Sequence, residues 1–248
     1  MYSFAQIFKM DLSNNSKNIV LIGFNTIFFL LIVLIFGFLS EGAYADPIAS
    51  YNYYGISILV YSIFNGAMTA TNSFMERDIK RPNLRIIHSP VGKSAIYFSK
   101  ILSSFVFNYI CHLLVVLLLM FTMNLNFGGQ YFGYVLLLMV PLEFATSALG
   151  IFFCCLFKTE EIASTLLSNV LSILAFLGGV FFSLESMGPS IAWVSKLSPI
   201  KWITDAFFMV IFDSNFNLFW PVFGISILIS AVLVYGCEKC FRTEDYLC

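Results

Sequence analysis

Residues able to do chemistry are few in this 248-residue chain, and they do not assemble into a catalytic set. Cys237 and Cys240 form a C-x-x-C pair, but no second ligand pair accompanies them, so neither a metal site nor a redox centre is expected there. Gly92-Lys93-Ser94 has the ending of a phosphate-binding loop. That loop needs a Gly where Ile87 stands, and a strand ahead of it, so ATP binding is not assigned to this chain. His88 and His112 are isolated and read as structural, and no nucleophile–His–acid grouping or His-Glu-x-x-His spacing occurs. An intramembrane enzyme is therefore not supported. The polar groups that remain lie inside apolar runs. Glu143 follows Pro141 in one of them. Ser62, Asn65, Thr69 and Asn72 share one helix face, and Thr165, Ser168, Asn169 and Ser172 share another. Glu143 is either a substrate or proton contact, or a structural hydrogen bond near the carbonyl that Pro141 frees. The two stripes are either packing contacts between helices or the lining of a path for an amphipathic substrate.

The elements that must position these groups are membrane helices. Hydrophobic residues make up 59% of the chain and charged residues 11%, mean hydropathy is +0.88, and there are 29 Phe. So little charge would not cover a water-soluble globule. About 20 apolar residues cross the hydrocarbon core, and six stretches have that character. They run from Ile19 to Leu39, roughly Tyr54 to Met75, about Ile101 to Met123, Phe132 to Phe157, Ile162 to Phe182, and Phe219 to Gly236. The first ends near Ala43-Tyr44-Ala45, which has the form of a signal-peptidase site, but the run is longer than a signal-peptide core, so an uncleaved span is expected. The expected fold is an all-α integral membrane protein of one transmembrane domain over residues 1–248, with no structural disulfide.

Orientation follows from basic residues, which favour the cytoplasmic side. With the N-terminus inside, Lys9, Lys17, Arg77, Lys80, Arg81, Arg85, Lys93, Lys100, Lys158, Lys239 and Arg242 are all cytoplasmic. Of the 13 lysines and arginines only Lys196 and Lys201 fall outside. Both termini are then cytoplasmic, in a multi-pass protein of the cell membrane. Trp193, Trp202 and Trp220 fall on the outer side, where an interfacial aromatic belt belongs.

Three segments are not spans. Over residues 1–18, Phe4, Ile7, Phe8 and Leu12 recur at helical spacing, with Lys9 and Asp11 among the other positions, so a short helix on the inner membrane surface is expected. Residues 76–96 form the most polar stretch. Glu76, Arg77, Lys80, Arg81 and Arg85 surround Leu84, Ile86 and Ile87, which suits docking into a groove on a soluble partner as well as fixing topology. Residues 183–218 are too long for a turn. Gly188-Pro189 breaks them, Ser198 reads as an N-cap with Pro199 at the first helical position, and two short amphipathic helices dipping into the outer leaflet are expected. Glu160-Glu161 suits the start of the fifth span, where the helix dipole is positive.

In layout the chain resembles the permease subunits of type-2 ABC exporters, the group that includes drug- and antibiotic-resistance permeases. The segment from Glu76-Arg77 to Ser89-Pro90 is similar to the family's cytoplasmic coupling helix. Phe157-Lys158-Thr159-Glu160-Glu161 leads into Asn169 and then Gly178-Gly179-Val180-Phe181-Phe182 in a like order. Ser186-Met187-Gly188-Pro189, with Leu197 to Trp202 and Ala206, is similar to its outer re-entrant region, although Ser183 stands where a Pro is usual. The resemblance implies two permeases, identical or homologous, above two copies of an ABC ATPase that bind ATP and Mg. It implies coupling through Glu76, Arg77, Lys80, Arg81, Leu84 and Arg85. It also implies a translocation path along the second and fifth spans, with Ser62, Asn65, Thr69, Asn72, Thr165, Asn169 and Ser172, and Glu143 of the fourth span is counted among the path residues. No cofactor in this chain and no nucleic-acid partner are expected. The substrate would be a drug, an antimicrobial peptide or a lipid-like compound, in a bacterial membrane. A proton-coupled secondary transporter or channel using Glu143 is the other reading; that class more often carries several intramembrane charges and inverted repeats.

Overall fold

The computed structural model describes residues 2–43, 47–75, 91–182 and 193–241. Its elements are helices, and no strand occurs among the described residues. In chain order they are α1 (Tyr2–Lys17), α2 (Ile19–Gly23), a π-helical turn (Phe24–Phe28), α3 (Phe29–Leu39), α4 (Pro47–Met75), α5 (Lys93–Met123), α6 (Phe132–Phe157), α7 (Glu160–Leu177), α8 (Pro199–Ile211) and α9 (Phe219–Cys240). Short 3-10 turns occur at Glu41–Ala43 and Gly129–Tyr131, and residues 193–195 are also helical. Five helical stretches are long and apolar enough to cross a membrane: Ile19–Leu39, Lys93–Met123, Gly129–Phe157, Glu160–Leu177 and Phe219–Cys240. The second expected span is a 29-residue helix, α4, and is not among the five. Its polar residues lower its hydropathy, and Ser57, Ser62, Asn65, Thr69, Thr71 and Ser73 are all buried.

Local sequence explains where the helices begin and end. Asn18 caps α2 by accepting hydrogen bonds from the backbone N–H groups of Val20 and Leu21 at 3.0 and 3.3 Å. The chain leaves α5 through Asn124 and α6 through Lys158, both left-handed, and Glu160 and Glu161 occupy the first turn of α7 as their charge favours. Pro141 lies inside α6 without ending it. The Tyr109 hydroxyl donates to the Leu136 carbonyl at 3.3 Å, beside the carbonyl that Pro141 deprives of its usual donor. Ser198 precedes α8 as expected, but its hydroxyl makes no cap; it donates to the Leu174 carbonyl of α7 at 2.7 Å and so ties α8 to the end of that span. Of the two expected outer helices α8 is present, and residues 183–192, including Gly188-Pro189, lie outside the described residues.

Helices α4 and α6 occupy the centre. α4 packs on α3, α5, α6 and α7, and α6 packs also on α9. A methyl group built on Gly150 of α6 would stand 2.2 Å from the Ala67 carbonyl oxygen and 2.9 Å from the Ala70 Cβ of α4. Only glycine permits that approach, and small residues at crossings are how membrane helices gain contact where no hydrophobic drive pulls them together. Trp193, Trp202 and Trp220 are exposed, as an interfacial belt requires.

The N-terminal segment is a helix as expected, but its charge is placed differently. α1 packs along α5. Asp11 is buried rather than on the polar face, and it accepts from Lys100 Nζ at 2.6 Å and Ser99 Oγ at 3.2 Å. Lys100, expected on the cytoplasmic side just before the third span, belongs to α5, which begins at Lys93, and its side chain is buried. Burial pushes the Asp11 carboxyl up from the usual carboxylate range, and the Lys100 ammonium pulls it back. Breaking such a pair leaves one charge buried without its partner. Lys100→Met is expected to destabilise the protein by about 3–5 kcal/mol, and adding Asp11→Leu to recover most of that loss. Unfolding of the single and double variants in mixed micelles measures both.

Candidate functional site

One residue of the α4 polar stripe, Thr69, is met by a side chain of the first apolar helix. In the π-helical turn Phe24–Phe28, where one residue is inserted into the helix, Asn25 is buried and its amide N donates to the Leu21 carbonyl and to Thr69 Oγ1, both at 2.9 Å. Such turns swing one side chain off the regular helical register and recur at functional sites. Here the turn directs an amide to a hydroxyl on α4.

A second polar group lies against α4 at Gly66. Glu143 of α6 is fully enclosed and pairs with His112 Nδ1 of α5. Asn108, one turn before His112, donates its amide N to the Gly66 carbonyl of α4 at 3.0 Å. A methyl group built on Gly66 would stand 2.6 Å from that amide N and 3.5 Å from Glu143 Oε2. The absence of a side chain at position 66 therefore lets α4 close over the pair. Phe29 packs edge-on to the His112 ring. His112 is not the isolated residue expected: it is the partner of Glu143, 31 positions further along the chain. Tertiary folding supplies that partner instead of a carbonyl near Pro141.

The expected path residues divide into three groups. Thr69 and Asn72 of α4 and Thr165 of α7 line a cleft of about 320 Å³, along with Phe24 of the first span, Met68, and Ser168. Ser62 and Asn65 line a separate cavity of about 10 Å³ with Asn25, Phe24, Phe28, Tyr61 and His112. Asn169 and Ser172 line neither and are exposed on α7, whose buried face consists of Ala163, Leu167, Leu171 and Ala175. Glu143 lines neither cavity and sits behind His112. Asn25 was not among the expected residues, yet its signal was present: an amide in the middle of the run from Ile19 to Leu39 needs a partner inside the protein. Glu76, Arg77, Lys80, Arg81, Leu84 and Arg85 lie outside the described residues. No group of three or more His, Cys, Asp or Glu suited to a metal ion occurs among the described residues, and Cys111, Cys154, Cys155, Cys237 and Cys240 are free thiols.

A bundle of membrane-spanning helices, with polar residues held between them and no catalytic grouping among the described residues, has the character of a transport protein. The model of the ABC-2 type transporter family matches residues 2–212. The chain belongs to that family: it is a multi-pass membrane protein and a permease component of an ABC transporter, whose family works with an ABC ATPase subunit. No curated protein matches the chain.

Gly66→Val tests the closure of α4 over the buried pair. The added side chain has to displace Asn108 and press on Glu143, so a loss of about 1–3 kcal/mol is expected. Gly23→Ala, in open surroundings on the first span, serves as the control, and thermal unfolding in detergent compares the two.

Proposed function

We propose that this chain is the membrane-spanning subunit of an ATP-driven exporter and that it forms the path for an amphipathic substrate: a drug, an antimicrobial peptide or a lipid-like compound. The observation that carries the reading is the cleft between α4 and α7. Thr69, Asn72 and Thr165 stand on its walls beside Phe24 and Met68, so polar and apolar groups face one space in a chain of the ABC-2 type transporter family. In this reading α4 is the sixth span, because its polar groups are buried against neighbouring helices rather than lipid. Both termini are then cytoplasmic, by the distribution of basic residues.

Two permeases, identical or homologous, would face each other above two ATPase subunits that bind ATP and Mg. On the exposed side of α7, Thr165, Asn169 and Ser172 form a stripe beside the apolar Ile162, Leu166, Val170 and Ile173, which supports a protein or a watery path in front of the stripe and lipid beside it. The segment from Glu76 to Arg85 would dock on the ATPase through Arg77, Lys80, Arg81 and Arg85 around Leu84, and pass its motion to α4 and α5, which flank it in the chain. The energy comes from ATP, and Glu143 holds His112 in place.

Isolation of the chain from its native membrane tests the assembly: a stoichiometric soluble subunit with a phosphate-binding loop is expected, and a chain that comes out alone contradicts the exporter. The double variant Arg81→Glu, Arg85→Glu is expected to insert normally but to lose transport and the co-purifying ATPase; unchanged transport removes the coupling role. Glu143→Gln is expected to keep ATP-driven export running in inverted vesicles. Loss of a proton-coupled flux in that variant would favour a secondary transporter instead.

A further inference from the structure

The cavity of about 10 Å³ beside His112 is about the volume that the centre of one water molecule needs. Its polar lining is one-sided in a way that specifies a ligand. His112 uses Nδ1 on Glu143, while its Nε2 is buried with no partner in the protein. The pair is enclosed with no exposed surface, so net neutrality is strongly favoured in a low-dielectric interior. Three proton arrangements are neutral. In two of them, imidazolium with carboxylate and neutral imidazole accepting from the carboxylic acid at Nδ1, Nε2 carries a hydrogen. The third, Nδ1–H donating to the acid, would strand the acid's O–H at Oε2, which has no acceptor in the protein, so the first two are favoured. The other walls complement the Nε2 hydrogen. Asn25 spends its amide N on Leu21 and Thr69, and Asn65 spends its own on the Tyr61 carbonyl, so each has its amide oxygen to offer as an acceptor.

From this juxtaposition we propose that the cavity binds one oxygen of water size, which accepts from His112 Nε2–H and donates to the amide oxygens of Asn25 or Asn65. A water molecule has this chemistry, and so does the terminal hydroxyl of an amphipathic molecule entering past Phe24 and Phe28, which are exposed at the cavity's rim. The water source is independent of the export reading; the hydroxyl source rests on it. The site would make His112 the residue that recognises an oxygen on the transported molecule, with Glu143 and the π-helical turn as its positioning groups.

The chain has two histidines, so His88→Gln leaves His112 as the single imidazole. With the histidine nitrogens labelled by ¹⁵N and the protein in phosphatidylcholine vesicles, solid-state NMR reads Nε2 directly. A hydrogen on Nε2 and magnetisation transfer to it from water protons are expected, with the transfer lost in Asn65→Leu. An Nε2 without hydrogen, or with hydrogen but no transfer from water, overturns the site. 1-Octanol and octane then separate the two sources. Loss of the water transfer with octanol but not octane establishes that a hydroxyl-bearing chain enters. Loss with both, or with neither, overturns the hydroxyl source and leaves the site to water. None of these signals depends on ATP or on a partner, so their failure is distinct from failure of the co-purification that tests the exporter.

Discussion

Hydrocarbon offers no hydrogen-bond partner, and this governs the arrangement of the bundle. The helix from Pro47 to Met75 carries more polar side chains than lipid would tolerate, so it is placed in the middle, where other helices meet them. Asn25 answers Thr69, Asn108 answers the Gly66 carbonyl, and Ser73 and Ser104 share a hydrogen bond at 2.9 Å. The remaining helices are arranged by what they bring to this one. The helical stretch Ile19–Leu39 contributes an amide through a π-helical turn, α5 contributes an amide and an imidazole, and α6 contributes the carboxylate that holds the imidazole.

Such a network exists only if backbones come close, and two glycines provide for it. Gly66 admits Asn108 and Glu143 to the surface of α4, and Gly150 admits the α4 backbone to α6. Packing and polarity are thus one problem. A side chain at either position would separate the helices and, at position 66, force the buried groups apart.

The N-terminal helix α1 obeys the same logic. A surface helix held only by its apolar side would slide freely over α5. Asp11 and Lys100 fix its register instead, at the cost of burying two charges that offset each other. The pair ties α1 to α5 along their contact.

The sequence by itself determined the class of the protein and the place of five apolar helical stretches, though not all their ends: the third expected span begins at Lys93 rather than near Ile101, and the fifth ends at Leu177 rather than Phe182. Helix in lipid is a local requirement, and a run of apolar residues meets it without reference to the rest of the chain: Ile19 to Leu39 and Phe132 to Phe157 coincide with the helical stretches found. It also marked which residues needed partners, since Glu143 and the stripe from Ser62 to Asn72 are anomalous in such runs. It did not say who the partners are. His112 pairs with Glu143 across 31 residues, and Lys100 with Asp11 across 89, because helices pack side by side wherever their surfaces fit, at separations no spacing rule encodes. Placing Lys100 just before the third span and reading Ser198 as a cap used local rules correctly, and tertiary contacts overrode them with stronger partners. The two polar stripes looked equivalent along the chain. Only the packing of α4 at the centre and α7 at the edge decided that one is enclosed and the other left open.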